Sequence, residues 1–325
     1  MRALLLTSLT GPAGLRLTEV DDPHGDSLVH IDVRAAGVNF PDLLVMRGEY
    51  QLKTEPPFVP GSEIAGVVRS APSGSGFSAG DRVIALAGQG GLAERVAVHP
   101  GVVRHAPSGL DHAEAVTMLV NFQTAVFALE TRARVSAGQT VVVMGAAGGI
   151  GTATVQVAHA LGVEVIAVVK RPGADEFLRT AGADHVVALA DGWSGRVREL
   201  TDGRGADVLV DPVGGPAFDD AVRSLAPGGR LVVVGFAAGG IPTVTVNRLL
   251  LRNVGVLGAG WGEYLRTDPR ALGQVASRLD ELVTAGLRPA VNHRYAFGDG
   301  VRAYTDLASG AVFGKAVIDV SSDPA

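Results

Sequence analysis

Cysteine is missing from the 325-residue sequence. Its absence removes disulfides, thiolate nucleophiles and every cysteine-based zinc or iron–sulfur site. No run of apolar residues is long enough to cross a bilayer, and the opening MRALLLTSLTGPAG carries too short an apolar stretch for a secretory signal. A soluble, cytoplasmic chain with no membrane partner is expected. Positive charge is not in excess either. A formal net charge of −5 gives no basic field with which to capture nucleic acid. Aromatic residues are few, yet 47% of the chain is hydrophobic and 19% charged, which is a globular composition and not a disordered one. The 44 glycines fall at the ends of apolar runs without a repeat, which excludes a fibrous chain.

The length exceeds what one ordinary core organises, so two domains are expected. The first part reads as short strands separated by turns: MRALLLTSL, LRLTEV, SLVHIDVRAAG, EIAGVVRSA, DRVIALA and LAERVAVH. One helix, FPDLLVMRG, interrupts them. From Ala113 the rhythm changes. HAEAVTMLVNFQTAVFALETRA has helical spacing, and after it near-continuous Val/Ile/Leu runs such as QTVVVMG, EVIAVVK, ADVLVDPVG and GRLVVVGF alternate with amphipathic segments. That alternation predicts a parallel sheet covered on both faces. The simplest α/β architecture is a β-rich domain, residues 1–120 with 262–325 returning to it, interrupted by a doubly wound domain over 121–261. The apolar segment VTVNRLLLRNVGVLGAG, after the fifth strand, is expected to supply a strand at the sheet edge.

The most informative stretch is VVVMGAAGGIGTATVQVA. A buried strand ends at Met144, small residues follow, and a helix starts near Ile150. Gly148 and Gly149 let the backbone approach a pyrophosphate, and the free N–H groups of the helix start face the anion. Gly151 lets the helix pack closely on the strand. Ala146 stands where the dinucleotide fingerprint usually begins with glycine, so strict GxGxxG is broken, but the strand–turn–helix context is the one that fingerprint requires. A fold of this kind that prefers NAD carries an acid at the end of the second strand. Here AVVKRPG puts Lys170 and Arg171 there. Two cations pair with a 2′-phosphate that an acid would repel, so NADPH is the expected cofactor.

Together with AAGVNFPDLLVMRGEY, PFVPGSEIAGVV, AGDRVIAL, FQTAVFAL, VDPVGG, NRLLLRNVGVLGAGWG and the closing GKAVIDV, these motifs resemble the medium-chain dehydrogenase/reductase superfamily. Within it they resemble the zinc-free quinone oxidoreductase (zeta-crystallin-like) branch, over essentially the whole length. The resemblance implies a GroES-like β-rich catalytic domain and a Rossmann NADP-binding domain. Zinc-dependent members hold their metal with cysteine, histidine and cysteine. The matching positions here are Asn39, Ser62 and a residue near Val120, a set without thiolate or imidazole, so no metal is expected. Glu63, in the turn VPGSEIAG, then looks like the remnant of a metal site's surroundings, serving as an acceptor in a buried turn.

The resemblance also implies site residues. Asn39 lines the pocket beside the nicotinamide ribose, donating to a ribose hydroxyl or an acceptor oxygen, or it caps the helix that follows it. Tyr50 is a proton donor after hydride transfer or an amphipathic pocket wall. Thr124 contacts the nicotinamide carboxamide or bonds its own helix. Val213, Gly214 and Phe236 border the cofactor crevice with Gly148, Gly149 and Ile150. Phe40 and Trp261 are candidates for the acceptor wall or for core. A tyrosine that helps hold the 2′-phosphate in many relatives is missing near Leu189, and an arginine is missing near Gly310. The implied activity is an NADPH-dependent, zinc-independent hydride transfer to a quinone or related activated carbonyl, of the NADPH:quinone oxidoreductase type. An enoyl thioester or α,β-unsaturated carbonyl reductase, and a non-enzymatic NADPH-binding protein, are the alternatives. The expected partners are a small quinone or enone and a second copy of the chain, paired through the Rossmann sheet edge.

Overall fold

The computed structural model describes residues 1–51 and 53–320. The chain divides into two compact units, Met1–Val120 with Val291–Ala325, and Asn121–Ala290.

In the first unit a seven-stranded sheet runs in the order Val291–Ala296, Lys315–Asp319, Val29–Val38, Glu63–Ser70, Arg82–Leu86, Val103–His105, and Arg95–Val98 also pairs with Val29–Val38. Only the first pair is parallel. The long strand Val29–Val38 changes its burial pattern half-way along. Val29, Ile31 and Val33 are buried while His30, Asp32 and Arg34 between them are partly exposed, the period-2 alternation of a half-buried strand. From Ala35 to Val38 every residue is buried, as in a strand covered on both faces, and the helix His112–Thr117 packs against this strand. Both chain ends therefore meet in one unit. A two-stranded antiparallel ribbon, Arg2–Leu6 with Leu15–Glu19, adds Leu4, Leu6 and Leu15 to the same core, which Tyr304 and Phe297 close from the C-terminal segment.

The second unit is a six-stranded, wholly parallel sheet in the order His185–Ala188, Glu164–Val169, Thr140–Met144, Ala206–Asp211, Leu225–Val233, Gly255–Gly258. Numbered within the unit this is 3-2-1-4-5-6, the doubly wound dinucleotide-binding order, whose direction reverses between Thr140–Met144 and Ala206–Asp211. Thr140–Met144 and Ala206–Asp211 are almost entirely buried, as strands covered on both faces must be.

Two expectations need correction. The second unit extends to Ala290 instead of stopping at residue 261. The helix Ala271–Thr284 buries Val275, Leu279 and Leu282, Arg278 pairs with Glu130 at 3.0 Å, and Gln156 bonds the backbone of Arg288 and Ala290. These contacts tie the segment to the doubly wound unit. The second correction concerns the apolar run after the fifth strand. Val246–Arg252 is a helix, ended by Asn253 at φ +53°, and the edge strand is the shorter Gly255–Gly258. Leucine and arginine are good helix formers, and only Leu249 of this helix packs on the core, leaving Val246, Leu250 and Leu251 71%, 73% and 77% exposed.

The expected long helix after Ala113 is present but not uniform. It begins as His112–Thr117, where Asp111 and Glu114 form a reciprocal cap, and then widens into π-helical turns at Met118–Phe122 and Phe127–Ala133. Among the described residues no helix is long and apolar enough to cross a membrane.

Candidate functional site

In the second unit the turn after Thr140–Met144 is built for close approach. Gly145 has φ +57°, and the helix Gly149–Ala160 starts from Gly148 with no side chain capping it. Its first internal bond is Thr152 N–H to the Gly148 carbonyl at 2.8 Å, so the N–H groups of Gly149, Ile150 and Gly151 are left over at the helix start. A side chain at Gly151 would sit 2.3 Å from the Gly145 carbonyl oxygen, and one at Gly149 would sit 2.5 Å from the Asn121 amide. The Thr152 hydroxyl fixes the turn by donating to the Ala146 carbonyl at 3.0 Å. This arrangement of unpaired donors at the positive end of a helix dipole suits a pyrophosphate.

Neighbouring strand ends bring more of the expected residues to this turn. Arg171, half-buried, donates from Nη2 to the Ala147 carbonyl at 3.1 Å, which lays its guanidinium along the turn. Desolvation pushes its pKa down from the ordinary value. Lys170 beside it is exposed. Val213 abuts Gly145, and Gly214 abuts the Phe236 ring, which is 41% exposed. The buried Asp211 carboxylate holds the Val213–Gly214 corner by accepting both backbone N–H groups, at 2.8 and 2.9 Å. Leu189, at the end of the third strand, packs on the apolar core and offers no phosphate ligand.

One expected residue has other surroundings. Trp261 is 8% exposed, its ring stacks against Phe127 with centroids 5.1 Å apart, and its Nε1 donates to Gln123 at 3.1 Å. Its polar handle is thus spent inside the core of the second unit. Thr124 is buried in the helical segment Gln123–Val126.

In the first unit Asn39 stands at the N-cap of the helix Phe40–Met46, where it forms a capping box with Asp42. Asp42 reaches back to accept the Asn39 backbone N–H at 3.2 Å. The Asn39 amide turns to Glu63, donating from Nδ2 to Oε1 at 2.9 Å, with a longer contact of 3.3 Å to the Ser62 hydroxyl. Lys315 completes the arrangement. Its Nζ donates to Glu63 Oε1 at 2.5 Å and to Asn39 Oδ1 at 2.6 Å, and Glu63 Oε2 accepts the Val120 N–H at 2.8 Å. Asn39, Glu63 and Lys315 are all at least 95% buried. Gly37 makes room for the carboxylate, since a side chain there would lie 2.1 Å from Glu63 Oε1.

Asp42 continues the network outward. It accepts the Tyr304 hydroxyl at 3.0 Å and a hydrogen bond from Ser62. Burial pushes its pKa up to about 6, against the pull of those two hydroxyls, and burial beside Asp42 pushes the Tyr304 phenol well above its ordinary value. Phe40 (40% exposed) and the half-buried Tyr50 lie outside this network. Among the described residues no group of three or more histidine, cysteine, aspartate or glutamate side chains is placed to hold a metal ion.

Sequence reasoning locates Glu63 and Asn39 but misses what joins them. Lys315 is 252 residues from Glu63 along the chain and sits at the head of an apolar strand, where a lysine ordinarily reads as a solvated strand end. Asn121, against the phosphate turn, is missed in the same way.

The two halves of the chain match two family models: residues 25–108 the alcohol dehydrogenase GroES-like domain and residues 149–278 the zinc-binding dehydrogenase domain. The chain is 38% identical to quinone oxidoreductase-like protein 2 of Rattus norvegicus over 82% of this chain and 77% of the rat protein. A crystal structure of a probable oxidoreductase from Mycobacterium abscessus is 51% identical, with a TM-score of 0.92 covering 98% of this chain and 99% of that one. The quinone oxidoreductase of Thermus thermophilus, solved also as its complex with NADPH, is 35% identical, with a TM-score of 0.83 covering 98% and 100%. The chain belongs to the quinone oxidoreductase branch of the medium-chain dehydrogenase/reductase superfamily. It is an oxidoreductase of that family, built from a GroES-like domain and a Rossmann domain. Of the positions that the resemblance matches to zinc ligands, Asn39 is tied to Lys315 and Glu63, Ser62 lies within reach of the Asn39 amide, and near the third the Val120 backbone is tied to Glu63.

The Asp42 carboxyl gives a signed prediction. Its folded pKa of about 6 exceeds its ordinary 3.8, so the folded protein holds that proton more tightly than the unfolded chain. Its contribution to stability therefore falls as pH rises from about 4 to 6 and stays low above that. Denaturant titrations at pH 5 and 7 of the wild type and Asp42→Asn should show wild-type stability gaining on the variant at pH 5. A pH-independent gap between the two would contradict the burial argument.

Proposed function

We propose that the protein is an NADPH-dependent, zinc-independent reductase that delivers hydride to a quinone or a related activated carbonyl acceptor. The observation that carries this reading is the phosphate turn with Arg171 laid along it and Lys170 beside it, in a position where an NAD-preferring fold places an acid. The uncapped helix start, the bare Gly149 and the two cations fit a dinucleotide bearing a 2′-phosphate, and the NADPH complex of the Thermus thermophilus relative supports the same choice. Gly148, Gly149 and Ile150 hold the pyrophosphate, Lys170 and Arg171 the 2′-phosphate, and Val213, Gly214 and Phe236 flank the crevice at the switch point. Bound NADPH supplies the hydride.

The acceptor class follows from the donor set at the old metal positions. An amide, a hydroxyl and a backbone position cannot build a tetrahedral zinc site, so the acceptor must accept hydride without a Lewis acid. Quinones qualify because the product is an aromatic hydroquinone, and enones because the charge passes to an enolate. Asn39 supplies an N–H to the acceptor oxygen or the ribose, Thr124 orients the carboxamide, and Tyr50 and Phe40 form the acceptor wall, Tyr50 with a phenol able to return a proton. A second copy of the chain is the proposed macromolecular partner. The outer side of Gly255–Gly258 is an open sheet edge, and the exposed Val246, Leu250 and Leu251 lie on the helix just before it.

Two measurements test this. Consumption of NADPH and NADH is followed with 1,4-benzoquinone, 9,10-phenanthrenequinone and crotonyl-CoA. Quinone-dependent oxidation preferring NADPH is expected, and Lys170→Ala/Arg171→Ala should raise KM for NADPH roughly 10- to 100-fold, the worth of one or two charged hydrogen bonds, with little effect on NADH. Turnover of crotonyl-CoA alone would move the protein to the enoyl reductases, and tight NADPH binding without turnover would make it a binding protein. Sedimentation should show a dimer that Leu250→Glu/Leu251→Glu dissociates; a monomeric wild type would contradict the edge pairing.

A further inference from the structure

The buried pair Lys315–Glu63 is hard to explain by stability. Replacing a buried ion pair by apolar residues of similar volume is often neutral or stabilising, so such a pair is weak evidence of a stabilising role. The geometry suggests another use, because both charges grip the same amide. Lys315 Nζ lies on Asn39 Oδ1 at 2.6 Å and Glu63 Oε1 accepts from Asn39 Nδ2 at 2.9 Å. Flipping the amide would set its N–H groups against the ammonium and its oxygen against the carboxylate, two repulsive contacts among buried groups. One orientation alone is allowed. In that orientation the second N–H of Nδ2 is left with a single long contact, 3.3 Å to Ser62, whose side chain is half-exposed.

We propose that Lys315 is a positioning residue for hydride transfer: with Glu63 it fixes the Asn39 amide so that its one loosely held N–H is the group offered to an acceptor oxygen or a ribose hydroxyl. The ammonium on Oδ1 also draws electron density from the amide, which strengthens that N–H as a donor. The proposal rests on the reductase reading above and on the role it gives Asn39. Neither charge touches the acceptor, and each acts through the amide. Gly37 belongs to the same device, because any side chain there would displace the carboxylate.

The test uses the full-length protein and the double variant Glu63→Gln/Lys315→Met, which removes both charges together and strands neither. Lys315→Met alone leaves Glu63 uncompensated and is the variant at risk of not folding. The expected result for the double variant is a kcat for quinone reduction lowered about 10- to 100-fold, as for a misplaced reacting group, with KM for NADPH and the unfolding midpoint near the wild-type values. An unchanged kcat overturns the proposal and leaves the pair a packing element. A readout independent of turnover accompanies it: the Asn39 side-chain amide in ¹⁵N-labelled protein, assigned by its loss in Asn39→Asp. In the wild type its two protons should be strongly inequivalent and slow to exchange. In the double variant they should exchange faster and converge. Identical amide signals in the two proteins would overturn the proposal even with reductase activity intact. If the wild type reduces no acceptor, the reductase reading fails while the amide signals still decide whether Lys315 fixes Asn39.

Discussion

The first unit depends on one buried ammonium. Without Lys315 the carboxylate of Glu63 would stand uncompensated inside the sheet, and a single stranded charge there costs several kcal/mol. With it, five groups from distant parts of the chain are drawn together: Lys315 from the last strand, Asn39 from the end of Val29–Val38, Ser62 and Glu63 from the turn leading into Glu63–Ser70, and the backbone of Val120. The C-terminal strand is thus more than an added ribbon. It brings the cation that compensates the buried Glu63 carboxylate, and Tyr304, from the helix before it, secures Asp42 beside the same network.

The second unit is organised differently, around the free backbone donors of a helix start. Here the means are subtraction and fixed angles. Side chains are absent from Gly149 and Gly151 where they would strike Asn121 and the Gly145 carbonyl, Thr152 pins the turn, and Asp211 pins the facing corner. Lys170 and Arg171 stand at the end of the next strand, and Arg171 reaches back to the same turn by donating to the Ala147 carbonyl.

Much of this is legible in the sequence because its causes are local. The alternation of Val/Ile/Leu runs with amphipathic segments announces the parallel sheet, and the strand–turn–helix context identifies the phosphate turn despite Ala146. What escapes is non-local or marginal. Nothing near Lys315 shows that its partner lies at Glu63, and nothing near Asp42 points to Tyr304. The apolar residues of Val246–Arg252 suit a sheet edge, whereas the leucines favour a helix and only Leu249 turns inward. The end of the second unit lies beyond residue 261 because Ala271–Thr284 is joined to that unit by Arg278–Glu130, a pair 148 residues apart. Residue type alone suggests Trp261 for the acceptor wall, and its hydrogen bond to Gln123 assigns it to packing.

The measurement that tests the account most directly is a double-mutant cycle on the buried pair, with Glu63→Gln, Lys315→Met and the double variant unfolded in denaturant at neutral pH. If the two charges compensate each other as the geometry requires, each single variant is strongly destabilised and the double is far less so than their sum, a coupling of about 2 kcal/mol or more. Additive losses, with no coupling beyond error, would show that Lys315 and Glu63 act independently and would contradict the account.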